Sequence, residues 1–111
     1  MTKPLEIVET IQIVETLAPM HPGELLREEF MIPLGLSPGK VAKAIGVPRT
    51  RIERIVAGEV GISGDTAIRL ARFFNMTPQY WANAQSHYEL AVAALKLGST
   101  IERIQPFETA A

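Results

Sequence analysis

Two arginines and a threonine, Arg49, Thr50 and Arg54, stand close together in a stretch patterned as a short helix. The fork of an arginine matches the O6 and N7 acceptors of guanine, and a threonine hydroxyl can meet donor or acceptor base edges. Ser37, Lys40, Lys43 and Arg51 belong to the same stretch. A serine at a helix start, the backbone amides beside it and a lysine all suit phosphate oxygens. The chemistry implied is recognition of double-stranded DNA. Arg49, Thr50 and Arg54 are expected on base edges, and Ser37, Lys40, Lys43 and Arg51 on phosphate. The alternative for Arg51 is to brace Glu53 or its neighbours. The plain alternative for the whole set is a solvated helix face.

The elements that must position these residues are two short helices with a tight corner, residues 37–58. Ser37 can cap the first and Pro38 suits its first turn. Val41, Ala42 and Ile45 keep helical spacing. Gly46 permits the positive φ of a sharp corner. Pro48 fits only near the start of the second helix. That helix carries Ile52, Ile55 and Val56 on one face and ends at Gly58. Small Ala42, turning Gly46, inward Val47 and packing Ile52 are spaced as a helix-turn-helix requires. The outward face of the second helix then fits the major groove, its N-terminal residues reaching deepest.

Around this corner the spacing predicts three more helices, hence an all-α fold of five. The first begins at His21-Pro22-Gly23, carries Leu25, Leu26 and Phe30 on its apolar face, and is ended by Pro33 and Gly35. After Gly58, Ile62 turns inward and Ser63 caps a helix through Phe74, with Ala67, Leu70, Ala71 and Phe74 in register. Asn75 stops it. Thr77-Pro78 starts a fifth helix in which Trp81, Ala84, Tyr88, Ala91 and Leu95 step by three and four up to about Leu97, where Gly98 ends it. Residues 1–20 hold the near-repeat Leu5-Glu-Ile-Val-Glu-Thr10 and Ile11-Gln-Ile-Val-Glu-Thr16, whose period and β-branched content read as an extended arm or strand. The tail, 98–111, alternates over Thr100–Phe107 and reads as a second short strand. The domain expectation is an arm (1–20), a helical domain (21–97) and a tail (98–111).

Charge supports the reading more than the total does. The formal net charge is −1. Residues 40–72 nonetheless carry seven basic groups against three acidic ones, and the acidic surplus lies elsewhere. A chain polarised in this way can set a basic face on phosphate and an acidic face on a basic partner. There is no cysteine. That excludes a disulfide framework and suits a reducing cytoplasm. The first residues lack a basic segment followed by an apolar core, so no signal peptide is expected. No apolar run approaches a membrane span.

Catalytic and metal chemistry find no footing. His21 and His87 do not pair with Glu24 and Glu89 at the spacing that puts two ligands on one helix face. They read as a helix-start residue and a surface residue. No nucleophile elbow, phosphate-cradling glycine loop or dinucleotide fingerprint is present. No enzyme, cofactor or metal is therefore expected. Tyr80, Trp81 and Tyr88 could stack bases, but their helical spacing favours core or a dimer interface.

Five segments in order carry a family resemblance: His21-Pro-Gly-Glu-Leu-Leu-Arg-Glu-Glu-Phe30, Pro33-Leu-Gly-Leu36, Val47-Pro-Arg-Thr-Arg-Ile52, Gly61-Ile-Ser-Gly-Asp-Thr-Ala-Ile-Arg-Leu70 and Pro78-Gln-Tyr-Trp-Ala-Asn83. Over about residues 21–95 the chain resembles the HigA-type antitoxins, Xre-class helix-turn-helix repressors with a lambda-repressor-like fold. The resemblance implies a homodimer that represses its own promoter at a palindromic operator. It also implies a HigB-like, RNA-cleaving toxin as partner. The acidic first helix, with Glu24, Glu28 and Glu29, is the expected face for such a basic partner. Two other readings stay open: a stand-alone regulator without a toxin, and an interaction adaptor whose corner no longer binds DNA.

Overall fold

The computed structural model describes residues 19–108. The expected arm lies almost wholly outside the described residues. Within them are five helices: α1 (22–34), α2 (Pro38–Ile45), α3 (Arg49–Val56), α4 (Gly64–Phe74) and α5 (Pro78–Leu97). A 3-10 turn, Gly98–Arg103, follows. No described helix is long and apolar enough to cross a membrane.

Local chemistry sets most of the helix ends. Ser37 Oγ accepts from the Lys40 amide at 3.2 Å, and Ser63 Oγ accepts from the Thr66 amide at 3.2 Å. Thr77 stands at the start of α5 in extended conformation, but its hydroxyl makes no capping bond; Pro78 alone opens that helix. Gly35, Gly46, Gly58 and Asn75 all take the left-handed conformation just past a helix. At each, the following amide reaches back five residues, as in Leu36 to Met31, Val47 to Ala42, Glu59 to Arg54 and Met76 to Ala71. This satisfies carbonyls that a helix end leaves orphaned.

Two expectations are corrected. Pro33 does not end α1; it sits inside the final turn, Ile32–Leu34, which stops at Gly35. The preceding residues, Leu26–Met31, run in π register, with the Ile32 amide reaching Arg27 O. The wider turn carries the backbone past the carbonyl that a proline ring would strike in an ordinary helix. The tail is the second correction. Thr100–Phe107 forms the 3-10 turn and then irregular backbone, not a strand. Alternation alone cannot hold a strand without a ladder to join, and no described residue forms one.

The core collects Leu26 and Met31 from α1, Val41, Ala42 and Ile45 from α2, and Ile52 and Ile55 from α3. Ile62, Ala67, Leu70, Ala71 and Trp81 complete it. Phe30 joins α1 to the later helices, its ring 4.9 Å from Phe74 and 5.0 Å from Trp81. Trp81 is thus core, Tyr80 edges onto Phe30, and Tyr88 packs edge-on against His21 at 4.9 Å. Pro22 and Gly23 seat α1 on the end of α3. A Cβ on Gly23 would lie 1.7 Å from the Ile55 carbonyl oxygen, so no other residue fits there.

His21 completes that joint. Its Nδ1 accepts from the Gly23 amide at 2.9 Å, and the ring also hydrogen-bonds the Val60 backbone. The neutral ring serves as acceptor on one nitrogen and donor on the other. Burial pushes its pKa below the ordinary imidazole value, against smaller opposing effects of the Val60 bond and Glu24.

Candidate nucleic-acid interface

The corner forms as its spacing requires. Ala42 and Ile52 are fully buried where α2 meets α3, and Val47 is half-buried against the same core. With Ile52 and Ile55 turned inward, α3 presents Arg49, Thr50, Glu53 and Arg54 to solvent. The Arg49 and Arg54 side chains are 70% and 62% exposed. Both are therefore open to an external partner.

The ion pairs around them differ in kind. Arg49 Nε stands 3.3 Å from Glu53 Oε2, one helical turn away. Arg54 Nε stands 3.5 Å from Glu59 Oε1. Exposed pairs of this sort are worth at most about 1 kcal/mol, so both forks can swing to another acceptor. Arg51 is held differently: its Nη1 donates to Asp65 Oδ2 at 2.9 Å, across the loop to α4. Arg51 therefore braces Asp65, not Glu53, which is engaged by Arg49. Arg69 Nε donates to the same Oδ2 at 2.9 Å, and Arg69 Nη1 donates to Ile45 O at 2.8 Å. Arg69 and Arg51 hold the Asp65 carboxyl below the usual carboxylate range.

The start of α2 adjoins the start of α3. A Cβ on Gly39 would come within 3.3 Å of Arg49 Cδ, so the arginine stem lies across the first turn of α2. This brings Arg49 to the same end as Ser37 and exposed Lys40. Lys43 is also exposed but one turn further along α2. The expected base-edge set is thus gathered on one helix, and Ser37 and Lys40 flank it.

Four contributors escaped the sequence reading. Gly39 has the signal of a glycine placed early in a helix, where it otherwise costs stability. Asp65 and Arg69 have the signal of i, i+4 spacing. Gln85 has none: its Oε1 accepts from the Ile62 amide at 2.7 Å, fixing the loop between α3 and α4 against α5. Among the described residues, no three His, Asp or Glu side chains gather as a metal site would need.

A helix-turn-helix family model matches residues 26–81, just over half of the chain. Virulence-associated protein I of Dichelobacter nodosus is 49% identical over 74 residues, 67% of this chain and 68% of that one. Antitoxin HigA-1 of Vibrio cholerae serotype O1 is 35% identical over 72 residues, 65% of this chain and 68% of its own. Pseudomonas aeruginosa antitoxin HigA, solved with the higBA promoter, superposes with a TM-score of 0.78 at 42% identity, covering 82% of this chain and 100% of that one. With that match and these relatives, the chain belongs to the Xre-type helix-turn-helix family, among relatives that include the HigA antitoxins.

Proposed function

We propose that the chain is a DNA-binding antitoxin that represses its own promoter as a homodimer and neutralises a HigB-like RNA-cleaving toxin. The observation that carries the DNA reading is the face of α3. Arg49, Thr50 and Arg54 are exposed there, with the core on the opposite side and the start of α2 alongside. Arg49 and Arg54 are the guanine readers, Thr50 meets a neighbouring base edge, and Ser37, Lys40 and Lys43 hold phosphate. The relative solved on its promoter supports this use of the fold.

Dimerisation has its own support. Leu90, Leu95, Leu97, Ile101, Ile104 and Phe107 are exposed along distal α5 and the tail. Apolar surface of that extent in a short segment marks an interaction site. A palindromic operator then meets two copies of α3. The toxin reading rests on α1, where Glu24, Glu28 and Glu29 are exposed and Ile32 and Leu34 lie open beyond them. Glu28 pairs with Arg27, which leaves Glu24 and Glu29 as the stronger candidates for a basic partner.

Fluorescence anisotropy with a labelled duplex from the gene's upstream region tests the DNA reading. Specific binding is expected to survive excess scrambled duplex and to weaken steeply with salt. Equal affinity for both duplexes would reject it. Co-purification with the product of a small basic reading frame beside the gene tests the toxin reading, and charge reversal at Glu24 and Glu29 is expected to abolish it.

A further inference from the structure

The helix that carries the readers is weakly anchored at the end that matters. α3 has eight residues, its N-cap is Pro48, and no side chain caps its first amides. Ile52 and Ile55 fix its middle and its far end in the core. Its first turn, which enters a groove deepest, is held from elsewhere: Arg51 Nη1 donates to Asp65 Oδ2 at 2.9 Å.

The same oxygen gathers a second arm. Arg69 Nε donates to it at 2.9 Å, while Arg69 Nη1 donates to Ile45 O at 2.8 Å and to Gly46 O at 3.4 Å. Those carbonyls close the C-terminal end of α2, where a cation is favoured. Gly46 also leaves room for the contact, since a Cβ there would stand 3.3 Å from Arg69 Nη1. One carboxylate oxygen in the first turn of α4 therefore joins the end of α2 to the start of α3.

The geometry points to Asp65 as a positioning residue for DNA reading: through Arg51 and Arg69 it sets the first turn of α3 against α2, and Arg51 acts within this tie and not as a phosphate contact. The inference rests on the DNA-binding reading above and names how that site is held. It also makes a prediction opposite in sign to simple electrostatics. Removing a carboxylate near DNA ordinarily strengthens binding, because phosphate is negative. Removing a positioning carboxylate weakens it.

The test is operator binding by the full chain, measured by anisotropy across a salt series. Lys40→Ala serves as the phosphate reference and is expected to lower the salt slope by about one. Asp65→Asn and Arg51→Gln are each expected to weaken operator binding about fivefold or more with the wild-type slope retained. The double variant is expected to be no weaker than the weaker single one, since both break one tie. Arg51→Lys, which keeps the charge but not the fork, is expected to behave as Arg51→Gln. Thermal melting confirms that each variant is folded; the pairs are exposed, so little stability is at stake. Tighter or unchanged binding by Asp65→Asn would overturn the proposal. So would full affinity in Arg51→Lys, or a slope reduced in Arg51→Gln as in Lys40→Ala. Wild-type protein that does not distinguish operator from scrambled duplex would instead overturn the DNA-binding reading, and this one with it.

Discussion

The corner formed by α2 and α3 and the distal half of α5 are both short helical pieces rich in apolar side chains, yet they are held in different ways. In the corner, Ala42, Ile52 and Ile55 are buried and the polar ends are tied by Ser37, Arg51, Asp65 and Arg69. Along distal α5, the stripe that begins with buried Trp81 loses its cover. Tyr88 and Ala91 are half-buried, while Leu95 is 47% exposed and, beyond the helix, Phe107 is 90% exposed. One region is complete within the described residues; the other presents apolar surface that no described residue covers. Under the proposed function, the corner would define what one copy reads, and the unfinished surface would set where a second copy sits.

Breaking the completed region has the largest expected effect. Ile52→Ala removes a fully buried side chain at the contact between α2 and α3, and is expected to cost about 2–5 kcal/mol in chemical denaturation. Loss below about 1 kcal/mol would mean that the corner is not the packed unit described. Breaking the unfinished region is expected to leave the fold alone. Leu90→Glu with Ile101→Glu places charge on exposed positions. Sedimentation is expected to show a monomer with an unchanged circular dichroism spectrum, and operator affinity is expected to fall about a hundredfold through lost bivalency. A dimer that persists would place the interface elsewhere.

Smaller changes sharpen the same contrast. Ser37→Ala removes the cap of α2 and is expected to cost about 1 kcal/mol of stability. The smallest effect is expected from His21, which ties α1 to the far end of the corner. Its folded pKa is lowered, so the unfolded chain takes up the proton first. Its contribution is therefore full above the ordinary imidazole pKa of 6.5 and is lost as pH falls through the lowered folded value. Urea melts at successive pH values are expected to show this slope in the wild type and less of it in His21→Asn. An equal slope in both would remove His21 from the account.

The features legible from sequence are those whose cause is local. Ser37 and Ser63 act on amides three residues on, and Gly46, Gly58 and Asn75 supply left-handed stops within their own turns. Helical spacing likewise identified Ile52, Ile55, Leu70 and Trp81 as inward. What was not legible depends on neighbours distant in the chain. The partner of Arg51 lies 14 residues away and the amide held by Gln85 lies 23 away. Pro33 has the sequence signal of a stop, but a register shift upstream makes room for it. Alternation in the tail has the sequence signal of a strand, but pattern does not supply a partner for the ladder. Of the candidate site, the exposure of Arg49, Thr50 and Arg54 was legible, because helical spacing alone turns them outward. The tie that steadies them was not.

The central claim is that the exposed face of α3 reads an operator as one half of a symmetric pair. A footprint of the purified protein on its own upstream DNA, at physiological salt, tests it most directly. The expected result is protection of a palindrome whose half-site centres lie about 34–36 Å apart along the duplex, or a multiple of that spacing. Arg49→Ala is expected to weaken it by about 1–3 kcal/mol and to relax the base preference within each half-site. Protection without symmetry, or a footprint whose base preference is untouched by Arg49→Ala and Arg54→Ala, would contradict the claim.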